Sequence, residues 1–475
     1  MKILLVSPSY PRDELFAASA PPLGLLYLAT AARNLGHHVR IIDQAAVGMS
    51  NEEIINRVKK WDPEVAGFSV LCESFGNARF ISEQLKSWNP NIRIVFGNYL
   101  PTFYAKKMLE NYKCLDVCVR GEGDETFIDL LDAWEKNRPL EEVAGISYTL
   151  NGSIKENKDR PLIKNLDKLP IPDRTFVPDI YKNRIYGIDV SKYKFTTMVS
   201  SKGCPYACRF CSCRTFTNGT FRARSVNNVL AEICQLADQG YQEIFFVDDN
   251  FTLNKKRVIE LSQKIQKEKL DLRFTTFGRV NHSTYELYRQ MKLAGVNVIM
   301  FGFESGVQRI LDSYNKRITL EMSRIAVKLA RKAGLDMVTG AFLLGGYDET
   351  YEEALQTIKF ISTLDIDFPQ IVITRALPGT PIFNELVRKK ILDEEMYWET
   401  GVNIIDLPGA KMNRKGIFRL VNYHFPKIFL NSKYIARAFL RNFTSRYRRE
   451  IFLSHLNRKD IMRVGQLMKN PLDFI

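Results

Sequence analysis

Between Lys2 and Gly379 the chain alternates short, near-continuous apolar runs with segments of helical periodicity, and it does so in two separate arrays. Over residues 1 to about 140 the runs are "KILLVSPS", "HVRIID", "EVAGFSV", "IRIVFGN" and "DVCVRG", with helical patterns from Pro22 to Leu35, near Asn51 to Lys60 and up to Trp88. Strands covered on both faces read as unbroken Val, Ile and Leu, so this array predicts a parallel, doubly wound, Rossmann-like sheet. Ligands of such sheets lie beyond the carboxyl ends of the strands. Those ends read Ser7-Pro8-Ser9, Asp43, Ser69, Gly97-Asn98 and Gly121-Glu122-Gly123, residues that also serve ordinary turns.

The second array has strands "FTTMVSS", "EIFFVDD", "RFTTFGRV", "NVIMFGFES", "DMVTGAFLLGG" and "QIVITRALPG". Each strand or its loop is followed by a helical segment. Six such units without a reversal of strand order predict a partial (β/α)6 barrel of the TIM type, with its chemistry at the carboxyl ends of the strands. Between the arrays, "GISYTLNGSIKE" alternates around Asn151-Gly152, a strong hairpin signal. The charged, proline-bearing connector "NLDKLPIPDRTFVPD" follows it. The expected domains are therefore 1–145, a hairpin and linker over 146–190, the barrel over 191–390, and a helical carboxyl-terminal region over 391–475.

The 475 residues suit two or three domains. Apolar runs such as "ILLV" fall far short of the roughly 20 residues that cross a bilayer, so neither a transmembrane helix nor a signal peptide is expected. A cytoplasmic location follows, and in a reducing compartment clustered cysteines point to a metal or catalytic site rather than to disulfides.

Four of the eight cysteines lie within "SSKGCPYACRFCSCRT". Structural zinc takes four ligands, usually as two separated pairs. The five histidines, His37, His38, His282, His424 and His455, form no ligand spacing, and Cys234 lies on a helical pattern. Three thiolates at Cys204, Cys208 and Cys211 suit a 4Fe-4S cluster with one iron left open. Cys213 leaves a second reading, in which a fourth thiolate closes the cluster and makes it an electron-transfer centre.

"CPYACRFC", with Phe210 at its aromatic position, resembles the CxxxCxΦC motif of the radical S-adenosyl-L-methionine (SAM) enzymes, and it follows the first strand of a six-unit array as it does in that family. The resemblance implies that Cys204, Cys208 and Cys211 hold the cluster and that the amino and carboxylate groups of SAM chelate the open iron. Reduction of the sulfonium would then release methionine and a 5′-deoxyadenosyl radical. "GFESG" resembles the family's SAM-contacting fourth strand and "FLLGGYDET" its fifth-strand glycine motif, while "RALPGTP" is similar to a sixth-strand loop of one subgroup. Phe210, Asp248, Asp249, Arg279, Glu304, Ser305, Gly345 and Gly346 are thereby candidate SAM contacts. Taken singly, Asp248, Asp249 or Glu304 also suits a helix cap or a salt bridge.

"PPLGLLYLATAARNLGHHVRIID", "EVAGFSV", "IVFGNYLPT" and "DVCVRGEGDETF" resemble the cobalamin-binding domain that precedes the barrel in cobalamin-dependent radical SAM enzymes, and "NLDKLPIPDR" resembles the joint between the two domains. The likeness covers about residues 1 to 390. It implies a corrin bordered by Ser7, Pro8, Leu23, Gly24, Ser69, Gly97, Asn98, Thr102, Gly121 and Glu122. Asn98 stands where the family usually has a second glycine. No Asp-x-His-x-x-Gly loop exists, so the lower face of the cobalt falls to another residue or to water; an α/β domain without corrin is the alternative. A methylthiotransferase would need cysteine ligands at separate early strand ends, which Cys72, Cys114 and Cys118 do not reproduce.

The net charge of +15 is concentrated at the end of the chain. From Lys411 onward, 15 Lys or Arg oppose Glu450, Asp460 and Asp473, a balance of 15 − 3 = +12. Aromatic and aliphatic residues interleave with arginine at helical spacing, which predicts two or three amphipathic helices with a basic face. Such helices lie on an anionic membrane surface, or pack on the barrel with their charges outward. No aromatic RNA-binding signature accompanies them, which disfavours nucleic acid. By resemblance the chain is expected to be a cobalamin-dependent radical SAM enzyme that methylates an unactivated carbon of a small-molecule or lipid substrate. Its electrons would come from an external reductant such as flavodoxin or ferredoxin. Rearrangement or oxidative cyclisation without methyl transfer, and a non-catalytic iron-sulfur protein, are the other readings.

Overall fold

A computed structural model describes residues 1–10, 19–185, 188–189, 192–394 and 410–454. The chain forms two compact units, one of residues 1–181, 215–218 and 377–403, the other of 182–214, 219–376 and 404–475.

In the first unit, β1 (Lys2–Ser7), β2 (His38–Asp43), β3 (Val65–Ser69), β4 (Arg93–Gly97) and β5 (Val117–Val119) form a parallel sheet in the order β2-β1-β3-β4-β5. The order reverses at β1 and β3, whose registers place Val6 beside Phe68 and Ser7 beside Asp43. The crevice of such a sheet opens there, beyond Ser7 and Ser69. Ile3, Leu5, Val65, Val95 and Val117 of the strands pack with Leu25, Ala29, Phe127 and Leu130 of the helices Leu23–Asn34 and Gly123–Glu135. Burying each of the larger side chains is worth about 1.5–3 kcal/mol. A capping box between Ser50 and Glu53 starts the helix Asn51–Trp61.

The hairpin at the start of the 146–190 segment extends this sheet. β6 (Ile146–Leu150) pairs antiparallel with β5, and β7 (Ser153–Glu156) pairs with β6. Asn151 and Gly152 both have positive φ, 50° and 76°, which gives the turn the twist a two-residue hairpin needs. The connector is tied to the same unit: the Asp173 N–H donates to Thr30 Oγ1 at 2.8 Å and the Tyr181 hydroxyl to Asp43 at 3.0 Å.

The second unit opens with a short antiparallel ribbon, β8 (Arg184–Ile185) and β9 (Ile188–Asp189). Its main sheet contains β10 (Phe195–Met198), β13 (Glu243–Phe246), β14 (Arg273–Gly278), β15 (Val296–Glu304), β16 (Met337–Leu344) and β17 (Pro369–Ile373), all parallel and in chain order. Helices Val226–Asp238, Lys255–Glu268, Tyr285–Leu293, Leu320–Lys332 and Tyr351–Thr363 connect them. This is a partial (β/α)6 barrel whose first and last strands are edges. A second ribbon, β11 (Ser201–Lys202) with β12 (Arg222–Ala223), brackets the loop after β10.

The basic region is helical as expected, but its face is not simply outward. Ile417, Leu420, Val421, Phe425 and Ile428 join the barrel core, and Tyr447 packs on Val298 and Met337. Arg441 and Arg448, together with Arg331, pair with the buried Asp367, and Arg437 pairs with Asp365 at 3.0 Å. Part of the positive charge thus fastens the helices Ser432–Thr444 and Arg446–Ser454 to the barrel. The rest of the expected tail, 455–475, lies outside the described residues.

Candidate active site

The three clustered cysteines sit on the loop between β11 and β12, beyond the carboxyl end of the first barrel strand. Carboxylates at the end of β13 anchor the entry of that loop. Asp248, only 1% exposed, accepts from the Ser200 N–H at 2.7 Å, the Ser200 hydroxyl at 2.6 Å and the Ser201 hydroxyl. Asp249 accepts from the Gly203 N–H at 2.7 Å, one residue before Cys204, and its carboxylate also engages the thiol of the buried Cys213. Arg257 donates to the carbonyls of Ser200 at 2.8 Å and Arg224 at 3.0 Å.

A second tether holds the middle of the loop. The Arg209 N–H donates to the Tyr314 carbonyl at 2.9 Å, the Arg209 guanidinium to Ser313 O at 3.0 Å, and the Asn315 amide to Ala207 O at 2.8 Å. Asn315 and Arg317 turn that partner segment with positive φ of 50° and 54°.

All three thiols are free. Burial pushes Cys211 up to about 11 and raises Cys204, so without metal those two thiols hold their protons near neutral pH. Arg279 Nη1 lies 3.6 Å from Cys208 Sγ, and the Asn250 amide nitrogen 4.0 Å from Cys204 Sγ. Arg279 is itself fixed by the Lys316 carbonyl and by the ring of Tyr206, 3.7 Å from the guanidinium carbon. Arg279 Nε and Asn250 Oδ1 are buried without a partner. Among the described residues no three His, Cys, Asp or Glu side chains converge on a point suited to one metal ion. Free thiols, N–H groups aimed at sulfur and unpartnered polar atoms are the surroundings an iron-sulfur cluster uses.

The ends of β15 and β16 bring further candidates together. Glu304 sits at a register shift with φ of 65°, a strained value for a residue with a side chain, and its Oε1 meets Lys316 Nζ at 2.5 Å with both groups buried. A Cβ on Gly302 would meet the ends of both side chains, so a larger residue there would displace the pair. Phe210 packs edge-on to Tyr314, with ring centroids 5.3 Å apart, and Lys316 Nζ lies 5.6 Å from its ring. The Ser305 hydroxyl is fully buried, 3.1 Å from Thr357 Oγ1, and accepts from the Val307 N–H. Gly345 and Gly346 donate their N–H groups to Glu349 Oε2 at 2.7 and 3.3 Å, while Glu349 Oε1 has no partner. Burial raises the Glu349 carboxyl to about 7.

In the first unit, the crest of the sheet carries the other set of candidates. Asn98 has φ of 88° and ψ of −162°, a region that costs a side-chain-bearing residue strain and explains why a glycine suits the position. Its amide donates to Ser69 Oγ at 2.9 Å and its carbonyl oxygen accepts from the Tyr99 N–H at 2.8 Å. Thr102 links to the Asn98 carbonyl at 2.7 Å and accepts from the Gly121 N–H at 3.0 Å, while the Glu122 carboxylate accepts from the Ile163 N–H. Ser7, Ser69 and Gly97 end β1, β3 and β4, with Pro8 directly after β1 and Leu23 and Gly24 at the start of the first helix. A Cβ on Gly24 or Gly121 would meet nothing within 4 Å, so the crest leaves open space over backbone, as a large planar ring requires. His37 lies at the opposite, amino-terminal edge: it is buried, its Nδ1 is 3.2 Å from the Met1 amino group, and burial lowers its pKa. Neither it nor the adjacent His38, which opens β2, stands at the crest.

Sequence reasoning missed Lys316, Asn250, Arg257 and Glu349. Lys316 was signalled only by the Asn315-Lys316-Arg317 turn, and Glu349 by its place within "GGYDET".

Family comparisons agree with both halves of this arrangement. Residues 198–361 match the radical SAM superfamily model, and residues 16–131 match the B12 binding domain model. An uncharacterized methyltransferase of Pyrococcus horikoshii is 38% identical over 82% of this chain and 84% of its own length. The anaerobic magnesium-protoporphyrin IX monomethyl ester cyclase of Rubrivivax gelatinosus is 26% identical over 93% of this chain and 80% of its length. The structure of the radical SAM methyltransferase TsrM from Kitasatospora setae, with cobalamin and a [4Fe-4S] cluster bound, shares the fold at a TM-score of 0.67 and 18% identity, covering 82% of this chain and 75% of that one. The chain therefore belongs to the radical SAM enzymes that carry an amino-terminal cobalamin-binding domain. It is a cobalamin-dependent radical SAM enzyme, and its cofactors are a 4Fe-4S cluster, SAM and cobalamin.

Proposed function

We propose that this enzyme methylates an unactivated carbon of a small-molecule or lipid substrate. The observation that carries the reading is the union, in one chain 38% identical to an uncharacterized methyltransferase, of a three-cysteine loop at the head of a partial barrel with an open small-residue crest on a doubly wound sheet. When bound, the cluster and SAM supply a hydrogen-abstracting radical, and cobalamin supplies the methyl group.

The chain's own residues bind, orient and shield. Cys204, Cys208 and Cys211 hold the cluster, while Arg279 and Asn250 direct N–H groups at two of the three sulfurs. Asp248 and Asp249 act chiefly by fixing the loop, since their oxygens are taken by Ser200, Ser201 and Gly203. Glu304 and Lys316 offer opposite charges to the zwitterionic methionine end of SAM. Phe210 and Ser305 shape the site, and Gly345 and Gly346 contribute through the absence of side chains, because Glu349 already takes their N–H groups. Ser7, Pro8, Leu23, Gly24, Ser69, Gly97, Asn98, Thr102, Gly121 and Glu122 border the corrin. Among the described residues no histidine stands at the crest, so another residue or water would meet the cobalt there.

An external low-potential reductant such as flavodoxin or ferredoxin feeds the cluster, and the basic carboxyl-terminal region makes a peripheral membrane contact from the cytoplasmic side. Among the described residues no helix is long and apolar enough to cross a membrane. The relationship to a cyclase keeps a second reading, oxidative cyclisation or rearrangement without methyl transfer. Turnover assays under argon, with substrates drawn from genes neighbouring this one, separate the two: methylation forms S-adenosylhomocysteine in step with methylated product, and a product lacking the added methyl would refute the proposal.

A further inference from the structure

The helix Ser432–Thr444 is amphipathic in the reverse of the usual sense. A helix at a protein surface normally turns its apolar stripe inward and its charges outward. Here Tyr434 donates to the Asp367 carbonyl, Arg437 pairs with Asp365 at 3.0 Å and Arg441 pairs with Asp367 at 3.0 Å, so the polar face is spent on the barrel. The opposite face presents Ile435, Phe439, Leu440 and Phe443, which are 52, 59, 63 and 62% exposed. Spacings of three and four residues place these four on one stripe. Leu430, 61% exposed just before the helix, continues the apolar surface.

The charge around the stripe says what covers it. Lys427 and Lys433 on its amino-terminal side and Arg449 beyond its end are exposed, while the exposed Arg446 pairs with Glu450 at 3.0 Å. Between Lys411 and Arg449 the sequence contains no Asp or Glu. A second copy of the chain would bring these cations against their own kind, which opposes self-association. Nucleic acid would satisfy the cations and stack bases on the two phenylalanines, but it offers nothing to the aliphatic Leu430, Ile435 and Leu440. A surface that combines anionic groups with an apolar phase directly beneath them satisfies both, and that is the interface of a bilayer containing acidic lipid.

We infer that Ile435, Phe439, Leu440 and Phe443 insert into the headgroup region of an anionic membrane, with Lys427, Lys433 and Arg449 binding lipid headgroups around them. This rests on the peripheral-membrane reading above and narrows it to one face of one helix. The contact is made by the stripe the arginines leave free, not by the arginines of the helix themselves.

Flotation of the full, cluster-loaded chain with vesicles of phosphatidylcholine, alone or mixed with phosphatidylglycerol, tests this. The parent is expected to float with the mixed vesicles and not with the neutral ones. The double variant F439E/F443E should lose about tenfold or more of that partition, and K427Q/K433Q should lose less and become less sensitive to added salt. Because these side chains are exposed, thermal melts of the variants should match the parent, which separates lost binding from lost folding. Parental flotation by F439E/F443E would overturn the assignment of the face while leaving a membrane contact elsewhere. Failure of the parent to float with either vesicle would sink both. A parent dimer that F439E/F443E converts to monomer would mark the stripe as a self-contact and overturn the inference.

Discussion

Replacing Asp248 by Ala distinguishes a loop anchor from a cofactor contact. The carboxylate is buried and accepts three hydrogen bonds, from the Ser200 N–H, the Ser200 hydroxyl and the Ser201 hydroxyl. Removing it leaves the backbone N–H without an acceptor, at a cost of about 1–3 kcal/mol. The two hydroxyls can rotate toward other acceptors, and together they add about 1–2 kcal/mol. Arg257, 3.2 Å from Ser200 Oγ, also loses the negative charge beside it. The expected total is about 3–5 kcal/mol, a large share of the roughly 5–15 kcal/mol that holds a domain folded. In urea unfolding of the metal-free chain, followed by far-ultraviolet circular dichroism, the midpoint of the barrel transition should fall by about 1–2 M. Asp248→Asn, which keeps one acceptor, should fall between parent and Ala. An Asp248→Ala protein as stable as the parent, with weakened SAM binding as its only defect, would refute this reasoning and return Asp248 to the SAM site.

Three further outcomes are expected. Lys316→Met strands the buried Glu304 carboxylate and should destabilise the protein by about 3–5 kcal/mol, whereas E304Q/K316M should recover most of that loss; equal loss in both would show that the pair is not coupled. Glu349 binds its proton more tightly folded, near 7, than at its ordinary 4.5, so its contribution is fully present below pH 4.5 and is lost as pH rises to about 7. Glu349→Gln keeps an acceptor for the glycine N–H groups and should remove up to about 3 kcal/mol of the stability decline between pH 5 and 8, which paired denaturation curves at the two pH values would measure. Arg279→Met removes a positive N–H donor from Cys208 and should move the midpoint of the reconstituted cluster to more negative potential in a titration followed by paramagnetic resonance; an unchanged midpoint would leave Arg279 without that role.

Much of this architecture is written in local patterns. The parallel strands declare themselves because both of their faces are covered, and "LNGS" declares its turn because two consecutive positive φ angles favour Asn and Gly. The cysteine loop is legible because its spacing is local. What holds the loop is not: Asp248, Arg257 and the segment around Asn315 reach it from 40 or more positions away in sequence, and no periodicity reports such partners. The attachment of the hairpin to β5 is hidden for the same reason, since pairing across an intervening helix leaves no mark on either strand. The direction of the helix Ser432–Thr444 could not be read either. Its sequence shows an apolar and a basic face, and only the half-buried Asp365 and the buried Asp367 decide which of them turns inward.

The most direct test is SAM cleavage by the purified, oxygen-protected chain after iron and sulfide reconstitution and chemical reduction, compared with Cys208→Ala treated identically. The parent should yield methionine and 5′-deoxyadenosine, and the variant should yield neither above background. Parental rates of both products from Cys208→Ala would contradict the assignment of the three-cysteine loop as the seat of the chemistry.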